Sequence, residues 1–438
     1  MRSCGWPAFA QRLERRWRKQ TEVLRIRDRF WRYSRRPLKS DPVQGWKIHV
    51  SATILSASDI FARVFPVLNA HGALYKVPAK LSFLAHLNSG DAGYSQIGKY
   101  ITVYARSDNE AEMLARKLHN VTLGCAAPEI PFDVRYRPKS AVYYRYGSFA
   151  SRREGTISII LDSVGKAHPD KRAPYYAVPN WLKDPINKRP IKPSKSRSPF
   201  GLEFLVHKAL AQRGKGGVFE ALDLSNFPAR LVIIKQGRRH GDIDWTGVDG
   251  YARIKQEGRT LRILHRAGIP VPNVLREFER NGHCYLVLEK KSGRRLSPSK
   301  SKRSAWFAAH ILTRLGAVLS QLHALGYVWR DCKPTNILVS GSQLCLIDFE
   351  GACRVSKIGI PPWGSIDYLP PCYRNEFAMR RAGTMEDDYA LGVIAFQLFS
   401  GKSPPDKATT RKKIYDRMGC PATLRARIEA LLNIAATP

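Results

Sequence analysis

The stretch from Tyr327 to Gly351 constrains this chain most, because chemically specific residues stand in it at short spacings between apolar runs. Asp331 follows an arginine, Asn336 lies five residues later, and Asp348 lies twelve residues beyond that in an apolar-flanked Asp-Phe pair. A carboxylate can accept a hydroxyl proton, and an amide oxygen and a second carboxylate are hard ligands of the kind magnesium prefers. The stretch therefore indicates a site for phosphoryl transfer.

The order of these residues resembles the signature of protein kinases. The resemblance implies that Asp331 is the catalytic base and that Asn336 and Asp348 bind a metal ion, Mg²⁺. It also implies that Lys333 steadies the γ-phosphate of a bound nucleotide, ATP or GTP. We therefore expect a kinase-like domain.

Two positions depart from the usual kinase signature. Trp329 stands where the family usually has His, and Glu350 stands where it has the Gly of Asp-Phe-Gly. Neither change removes a phosphate or metal ligand. Glu350, however, argues against the conformational flip that the Asp-Phe-Gly segment usually makes in kinases. An inactive pseudokinase stays open as an alternative.

A glycine-rich turn and the strand after it extend the resemblance toward a nucleotide site. Its exposed amides could cover phosphates: Gly214, Gly216 and Gly217. Lys235 ends the next apolar strand and is placed for the α- and β-phosphates. Its candidate partner is Glu257 on a predicted helix over about 249–266, with Asp244 as the less favoured alternative. Glu289 ends a strand that resembles the one leading into the hinge, where backbone groups hold a purine.

Composition favours a folded cytoplasmic protein. The chain has 438 residues, enough for two or three domains, and 44% of them are hydrophobic. No apolar run is long enough to cross a membrane, and the arginine-rich start lacks the apolar core of a signal peptide. The eight cysteines are scattered without Cys-x-x-Cys spacing, which indicates neither a disulfide framework nor a structural zinc site.

The chain is strongly basic, with 73 Lys and Arg against 36 Asp and Glu and a net charge of +37. Such a charge favours an anionic partner, whether nucleic acid, an acidic lipid surface or an acidic peptide. A well-solvated basic surface is the alternative. Residues 1–44 form a basic segment with an amphipathic helical pattern, which either docks such a partner or packs on the following domain.

The sequence from residue 45 onward predicts strands separated by short helices. The run Trp46–Val50 alternates, so a strand there places Ile48 on one face and Lys47 and His49 together on the other. Further strands are predicted over 73–77, 99–104 and 141–147, with helices over 56–70 and 109–118. Taken singly, each of these patterns is typical of an ordinary solvated sheet.

Taken together, Gly45 to Ser151 resemble the lyase domain of class III and IV lanthipeptide synthetases, which is similar in turn to phosphothreonine lyases. Three motifs carry the resemblance, namely Trp46-Lys47-Ile48-His49-Val50, Gly98-Lys99-Tyr100-Ile101-Thr102-Val103-Tyr104 and Tyr143-Tyr144-Arg145-Tyr146-Gly147. A kinase-like region follows them, as in that family. The resemblance implies removal of phosphate from phosphoserine or phosphothreonine by β-elimination.

The resemblance also assigns roles within this domain. Lys76 matches the base, His49 the acid, and Lys47 the group that stabilises charge on the substrate carbonyl. Positions that match phosphate-holding cations, together with a supporting phenol, are Lys99, Arg145, Arg152 and Tyr104. An arginine expected shortly before Gly98 is replaced by the run Gly93–Gln96, so we expect Lys99 to carry more of the phosphate binding.

These inferences predict an α+β architecture: a basic segment over 1–44, a phosphothreonine-lyase-like α+β domain over 45–186, a Lys/Pro/Ser-rich linker over 187–199 and a bilobal kinase-like domain over 200–438. The family usually continues into a cyclase, with zinc in class IV. Nothing in this sequence could be that domain, so we expect rings to be formed by a separate protein or not at all.

The combined prediction is a dehydratase that phosphorylates Ser or Thr of a ribosomal precursor peptide, with an acidic leader as a hypothesis, and then eliminates the phosphate. One alternative is a Ser/Thr kinase with an N-terminal recruitment domain. Another is a basic pseudokinase scaffold on a membrane or nucleic acid. The complete set of kinase residues weighs against the scaffold. Nucleic acid is not the expected partner, and no membrane insertion is expected.

Overall fold

The computed structural model describes residues 6–149, 153–154, 157–170, 178–187, 200–225, 227–298, 304–360, 363–374 and 380–433. Residues 188–199 of the predicted linker, and Arg152, lie outside them. The described part contains both helices and antiparallel sheets, which confirms the predicted α+β class. Within it, no helix combines the length and apolar character that a membrane crossing requires.

Seven described strands form one antiparallel sheet in the N-terminal domain, in the order β1-β2-β4-β5-β3-β7-β6. The strands are β1 (Ile26–Arg27), β2 (Trp31–Tyr33), β3 (Gln44–Val50), β4 (Leu74–Pro78), β5 (Ile101–Tyr104), β6 (Val134–Arg135) and β7 (Val142–Ser148). Alternation in β3 places Trp46, Ile48 and Val50 in the core beneath the sheet. Lys47 and His49 therefore lie on the opposite face.

Helices cover the apolar face of this sheet. They are α1 (Trp6–Gln20), α2 (Ala57–Ala70), α3 (Leu81–Ser89) and α4 (Asp108–Val121). The Ser107 side chain caps α4 by accepting a hydrogen bond from the Glu110 amide. Trp17 of α1 is fully buried in the core, and its indole N–H donates to the Pro78 carbonyl at 3.1 Å. The basic N-terminal helix thus packs on the domain that follows it.

A small antiparallel group of strands follows: β8 (Arg153–Glu154), β9 (Ile157–Leu161) and β10 (Ala167–Pro169). The N-terminal lobe of the second domain is a sheet of five described strands in the order β11-β12-β13-β15-β14. These are β11 (Phe204–Arg213), β12 (Gly216–Asp223), β13 (Arg230–Gly237), β14 (Val274–Arg280) and β15 (His283–Glu289). Helix α5 (Gly250–Arg266) packs against β13 and β15. Asp249 caps α5 by accepting from the Ala252 amide at 2.9 Å.

The C-terminal lobe is built around helices α6 (Ala305–Ala324) and α7 (Met385–Ser400), with α8 (Ala408–Met418) and α9 (Ala422–Asn433) completing it. Short strands lie between the helices, and the predicted site residues of this lobe stand in the segments that connect these strands. They are β16 (Arg294–Arg295), β17 (Tyr327–Val328), β18 (Ile337–Ser340), β19 (Gln343–Leu346), β20 (Cys353–Arg354), β21 (Ile358–Ile360) and β22 (Arg380–Arg381). One continuous apolar core joins α5 to this lobe, so closely packed side chains lie beneath the cleft between the lobes.

Candidate functional site

The predicted catalytic loop is assembled between β17 and β18. Asn336 donates from its side-chain amide to the Asp331 carboxylate at 2.8 Å and to its carbonyl at 3.1 Å. The Lys333 ammonium lies 2.9 Å from the same carboxylate and 3.2 Å from the Ser365 hydroxyl. Burial raises the pKa of Asp331 above its usual value. A carboxylate tuned in this way suits acceptance of a hydroxyl proton.

A buried carboxylate braces this loop from α7. Asp387 accepts hydrogen bonds from the amides of Trp329 at 2.8 Å and Arg330 at 2.7 Å. Asp387 is fully buried, and the His323 ring also contacts it at 3.0 Å. The loop is therefore held by backbone contacts before any substrate binds.

Lys235 lies at the centre of a carboxylate cluster. Its ammonium donates to both oxygens of Glu257, at 2.8 and 2.7 Å, and to Asp348 at 2.9 Å. Although burial disfavours the charged amine, Asp348 and Glu257 hold the pKa of Lys235 well above its usual value. Burial opposes ionisation of Asp348, but Lys235 and Lys215 lower its pKa to about 2. The structure thus places Glu257, and not Asp244, beside Lys235.

The two positions that depart from the kinase signature have defined partners. The Trp329 indole N–H donates to the Asp348 carbonyl at 2.9 Å, and its ring stacks on Phe349. Glu350 forms an ion pair with Lys215 of the glycine-rich turn and lies 3.5 Å from Lys235. Glu350 therefore links the segment of Asp348, the predicted metal ligand, to the turn, a contact that a glycine at this position could not make.

A cavity of about 310 Å³ lies between the lobes beside this cluster. Apolar side chains form one part of its wall, and Lys235, Asn336 and Asp348 form another. Glu289 also lines it, with its amide bonded to the Asn273 carbonyl at 3.0 Å. Its volume and mixed lining suit a nucleoside, with the phosphates at the charged end.

The glycine-rich turn is only partly available to a nucleotide. Gly216 and Gly217 line a smaller cavity next to Lys235 and Lys215. The Gly214 amide instead donates to the Ser89 carbonyl of the N-terminal domain at 2.8 Å. Of the three predicted glycines, Gly214 thus contacts the other domain.

In the N-terminal domain, strand register brings the predicted lyase residues onto one face of the sheet. Lys47 is paired with Tyr104 of β5 and with Arg145 of β7. Thr102 of β5 is paired with both His49 of β3 and Lys76 of β4. Directly paired residues of antiparallel strands point to the same side. The face therefore carries Lys47, His49, Lys76, Tyr104 and Arg145.

His49 and Lys99 meet at a carboxylate that the sequence did not single out. The His49 Nδ1 atom lies 2.5 Å from one Asp133 oxygen, and the Lys99 ammonium lies 3.1 Å from the other. Burial lowers the pKa of His49 to about 3, so the ring is neutral and Nδ1–H donates to Asp133. Burial opposes ionisation of Asp133, yet His49 and Lys99 lower its pKa well below the usual range. Asp133 thus orients His49 and leaves Nε2 for chemistry.

The other predicted groups of this face have partners too. The Lys76 ammonium lies 4.0 Å from the centre of the Trp31 ring, a cation–π contact from β2. Arg145 forms an ion pair with Asp170, and burial raises the pKa of Tyr104. Their chemical roles stay predictions, as does that of Arg152, which lies outside the described residues.

The buried histidine makes the stability of this domain pH-dependent. Because the His49 pKa is lowered from 6.5 to about 3, the unfolded chain binds the proton first as the pH falls. Stability is therefore full above about pH 6.5 and is lost toward pH 3, by about 2 kcal/mol at pH 5. His49→Asn should flatten this dependence in calorimetric unfolding between about pH 7 and pH 5. An equal acid dependence in both proteins would contradict a neutral buried ring.

Three residues that contact the predicted site residues were not identified from the sequence. Asp133 lies in an irregular segment before β6. Trp31 lies in the basic segment over 1–44, and Lys215 lies within the glycine-rich turn. Asp133 belongs to no predicted pattern or motif. Trp31 belongs to a segment whose pattern predicted a helix but which forms strand β2 at this point, and Lys215 was not counted among the candidate residues of the glycine-rich turn. A lone aspartate bounded by apolar residues, as in Phe132-Asp133-Val134, is the one signal that could have indicated a buried carboxylate.

Comparison with known proteins agrees with the two-part organisation. A family model described as "RamC, N-terminal domain" matches residues 7–198, and one described as "Protein kinase domain" matches residues 213–432. The probable SapB synthase of Streptomyces coelicolor is 29% identical over 388 residues, which cover 83% of this chain and 40% of that protein. The serine/threonine-protein kinase PknA of Mycobacterium tuberculosis is 29% identical over 212 residues, 46% of this chain and 47% of that kinase.

The chain spans less than half the length of either relative. The kinase match covers half of the chain and contains the assembled Lys235, Glu257, Asp331, Asn336 and Asp348. The chain therefore belongs to the protein kinase family and carries a RamC-type domain in front of its kinase domain.

Proposed function

We propose that this protein is a lanthipeptide-type dehydratase, which phosphorylates Ser or Thr of a precursor peptide and then eliminates the phosphate. The observation that carries the proposal is the common face formed by Lys47, His49, Lys76 and Arg145. That face lies in the same chain as a complete set of kinase residues. The relation to a probable SapB synthase supports a peptide substrate.

In the first step, Asp331 accepts the proton of a Ser or Thr hydroxyl, whose oxygen attacks the γ-phosphorus of ATP or GTP. The bond from that phosphorus to the β,γ-bridging oxygen breaks and leaves the nucleoside diphosphate. Lys333 steadies the transferred group, and Lys235 holds the other phosphates. Asn336 and Asp348 would hold Mg²⁺, which neutralises charge on the phosphates when bound.

In the second step, Lys76 acts as the base that removes the α-proton of the phosphorylated residue. The electron pair forms the Cα–Cβ double bond, and the bond from Cβ to the phosphate oxygen breaks. The departing phosphate takes a proton from His49, while Lys47 stabilises charge on the substrate carbonyl. A phosphate dianion beside Nε2 favours the protonated ring, so His49 gains its proton as the substrate binds.

Joining both steps in one chain has a physical advantage. Phosphorylation converts a poor leaving group into a good one, and a shared chain keeps the intermediate at high effective concentration. The net charge of +37 would suit an acidic leader segment of the precursor.

The direct test uses the full chain and mass spectrometry. Synthetic phosphoserine and phosphothreonine peptides, incubated without nucleotide, should lose the mass of phosphoric acid. A Ser/Thr-rich precursor encoded beside this gene, supplied with ATP and Mg²⁺, should lose one water per modified site. If the precursor only gains phosphate and the phosphopeptides are unchanged, the protein is a kinase with a recruitment domain.

The scaffold alternative makes a separate prediction. A pseudokinase scaffold would not bind MgATP and would bind nucleic acid with steep salt dependence. The contacts of Lys235 with Glu257 and Asp348 favour nucleotide binding instead. Calorimetry with MgATP separates the two cases.

A further inference from the structure

Residues 238–249 of the kinase domain, the loop between β13 and α5, contact the N-terminal domain. Ile243 and Trp245 of this loop pack against the apolar core of the N-terminal domain. A Cβ atom at Gly247 would lie 4.0 Å from the Leu55 side chain of that domain, at ordinary van der Waals distance. A kinase segment thus completes the apolar packing of its neighbour.

The same loop is tied to α5. Arg253 donates to the Asp244 carboxylate at 3.0 Å and to the Asp242 carbonyl at 3.1 Å. Arg253 is one helical turn before Glu257, so both side chains project from the same face of α5. Any shift of the loop would therefore be passed to the helix that pairs with Lys235.

The glycine-rich turn is held against the same domain. The Gly214 amide bonds to Ser89, and a Cβ atom at Gly214 would lie 1.6 Å from the Asn88 carbonyl oxygen. Arg238 donates to the Tyr94 hydroxyl at 2.5 Å, and its amide bonds to the Lys215 carbonyl at 2.8 Å. The turn and the loop therefore both rest on the N-terminal domain, and Arg253 ties the loop to α5.

We propose that Ile243 and Trp245 are positioning residues for phosphoryl transfer, which use the N-terminal domain as a support for α5 and the glycine-rich turn. The Lys235–Glu257 contact requires α5 to lie close to β13. The loop over 238–249 holds α5 in this position through Arg253 and through the apolar contacts of Ile243 and Trp245. Loss of the docking would let α5 move and weaken nucleotide binding. The inference depends on the kinase half alone, so it survives if elimination is absent.

The test compares full-length Trp245→Ala with Trp245→Phe and with Trp306→Ala. Trp306 is 73% exposed on α6 of the other lobe and is a matched control. For Trp245→Ala we expect faster hydrogen exchange within residues 250–266 and a fall of about tenfold in MgATP affinity by calorimetry. Trp245→Phe should recover most of both, and Trp306→Ala should match the wild type.

A second variant tests the contact from the other side. Leu55→Asp changes only the N-terminal domain, yet it should also loosen α5 and weaken MgATP binding. Unchanged exchange in α5 with unchanged MgATP affinity in Trp245→Ala and Leu55→Asp would overturn the proposal. So would faster exchange throughout the kinase domain with a lowered unfolding temperature, since that pattern indicates a merely structural role.

Discussion

The Lys76→Met variant is expected to eliminate phosphate from a phosphoserine peptide about 10²–10⁴-fold more slowly than the wild type, because it lacks the base that removes the α-proton. Methionine keeps most of the side-chain length and its packing against Trp31, so the sheet should stay intact. Phosphoryl transfer should continue, and phosphopeptide should accumulate. Initial rates on a synthetic phosphoserine peptide, measured by mass spectrometry, give the result.

Lys80→Met is the matched control for this substitution. Lys80 is exposed just after β4, and its ammonium also lies over an aromatic ring, that of Phe83. Its replacement should leave elimination unchanged. His49→Asn should repeat the Lys76→Met result, because asparagine can still donate to Asp133 but cannot protonate the leaving phosphate. Elimination at the wild-type rate in both site variants would refute this assignment.

Asp348→Asn is expected to reduce phosphoryl transfer by at least about 10²–10³-fold. The substitution removes a charged ligand for Mg²⁺ and one of the carboxylates around Lys235, with almost no change in shape. Without phosphorylation, no dehydrated product should form from an unmodified precursor. Elimination from a phosphopeptide supplied directly should be retained.

The control for this variant is Asp406→Asn. Asp406 is an exposed aspartate of the same lobe, paired only loosely with Arg374 at 3.4 Å. It should retain full phosphoryl transfer. If Asp348→Asn loses both activities on their separate substrates, the two steps do not have separate centres and the division of labour is wrong.

The kinase half was predictable from local spacing. Asp331, Asn336 and Asp348 are close in sequence, and the chemistry of metal and proton transfer limits which residue types can stand there. Glu257 was also predicted as the partner of Lys235, although Asp244 stood nearer in sequence. Only the fold shows that Asp244 bonds to Arg253 instead, because the loop turns away from the cleft before α5 begins.

The candidate site of the N-terminal domain was predictable in part. Alternation in β3 indicated that Lys47 and His49 share a face, since successive strand residues point to opposite sides. That Lys76 joins them depends on β4 lying next to β5 and on the register of that pair, which no local pattern encodes. Asp133 comes from an irregular segment and Trp31 from β2, which lies between β1 and β4, so both reach the site only when the sheet is complete.

By itself, then, the sequence predicted a kinase-like domain behind a second α+β domain, because the candidate reacting groups stand in short motifs whose residue types the chemistry restricts. Tertiary structure alone decided which carboxylate each cation meets and how the two domains touch. Those contacts join residues far apart in the chain, such as Trp245 and the core of the N-terminal domain. They depend on packing and strand register, which only the folded chain establishes.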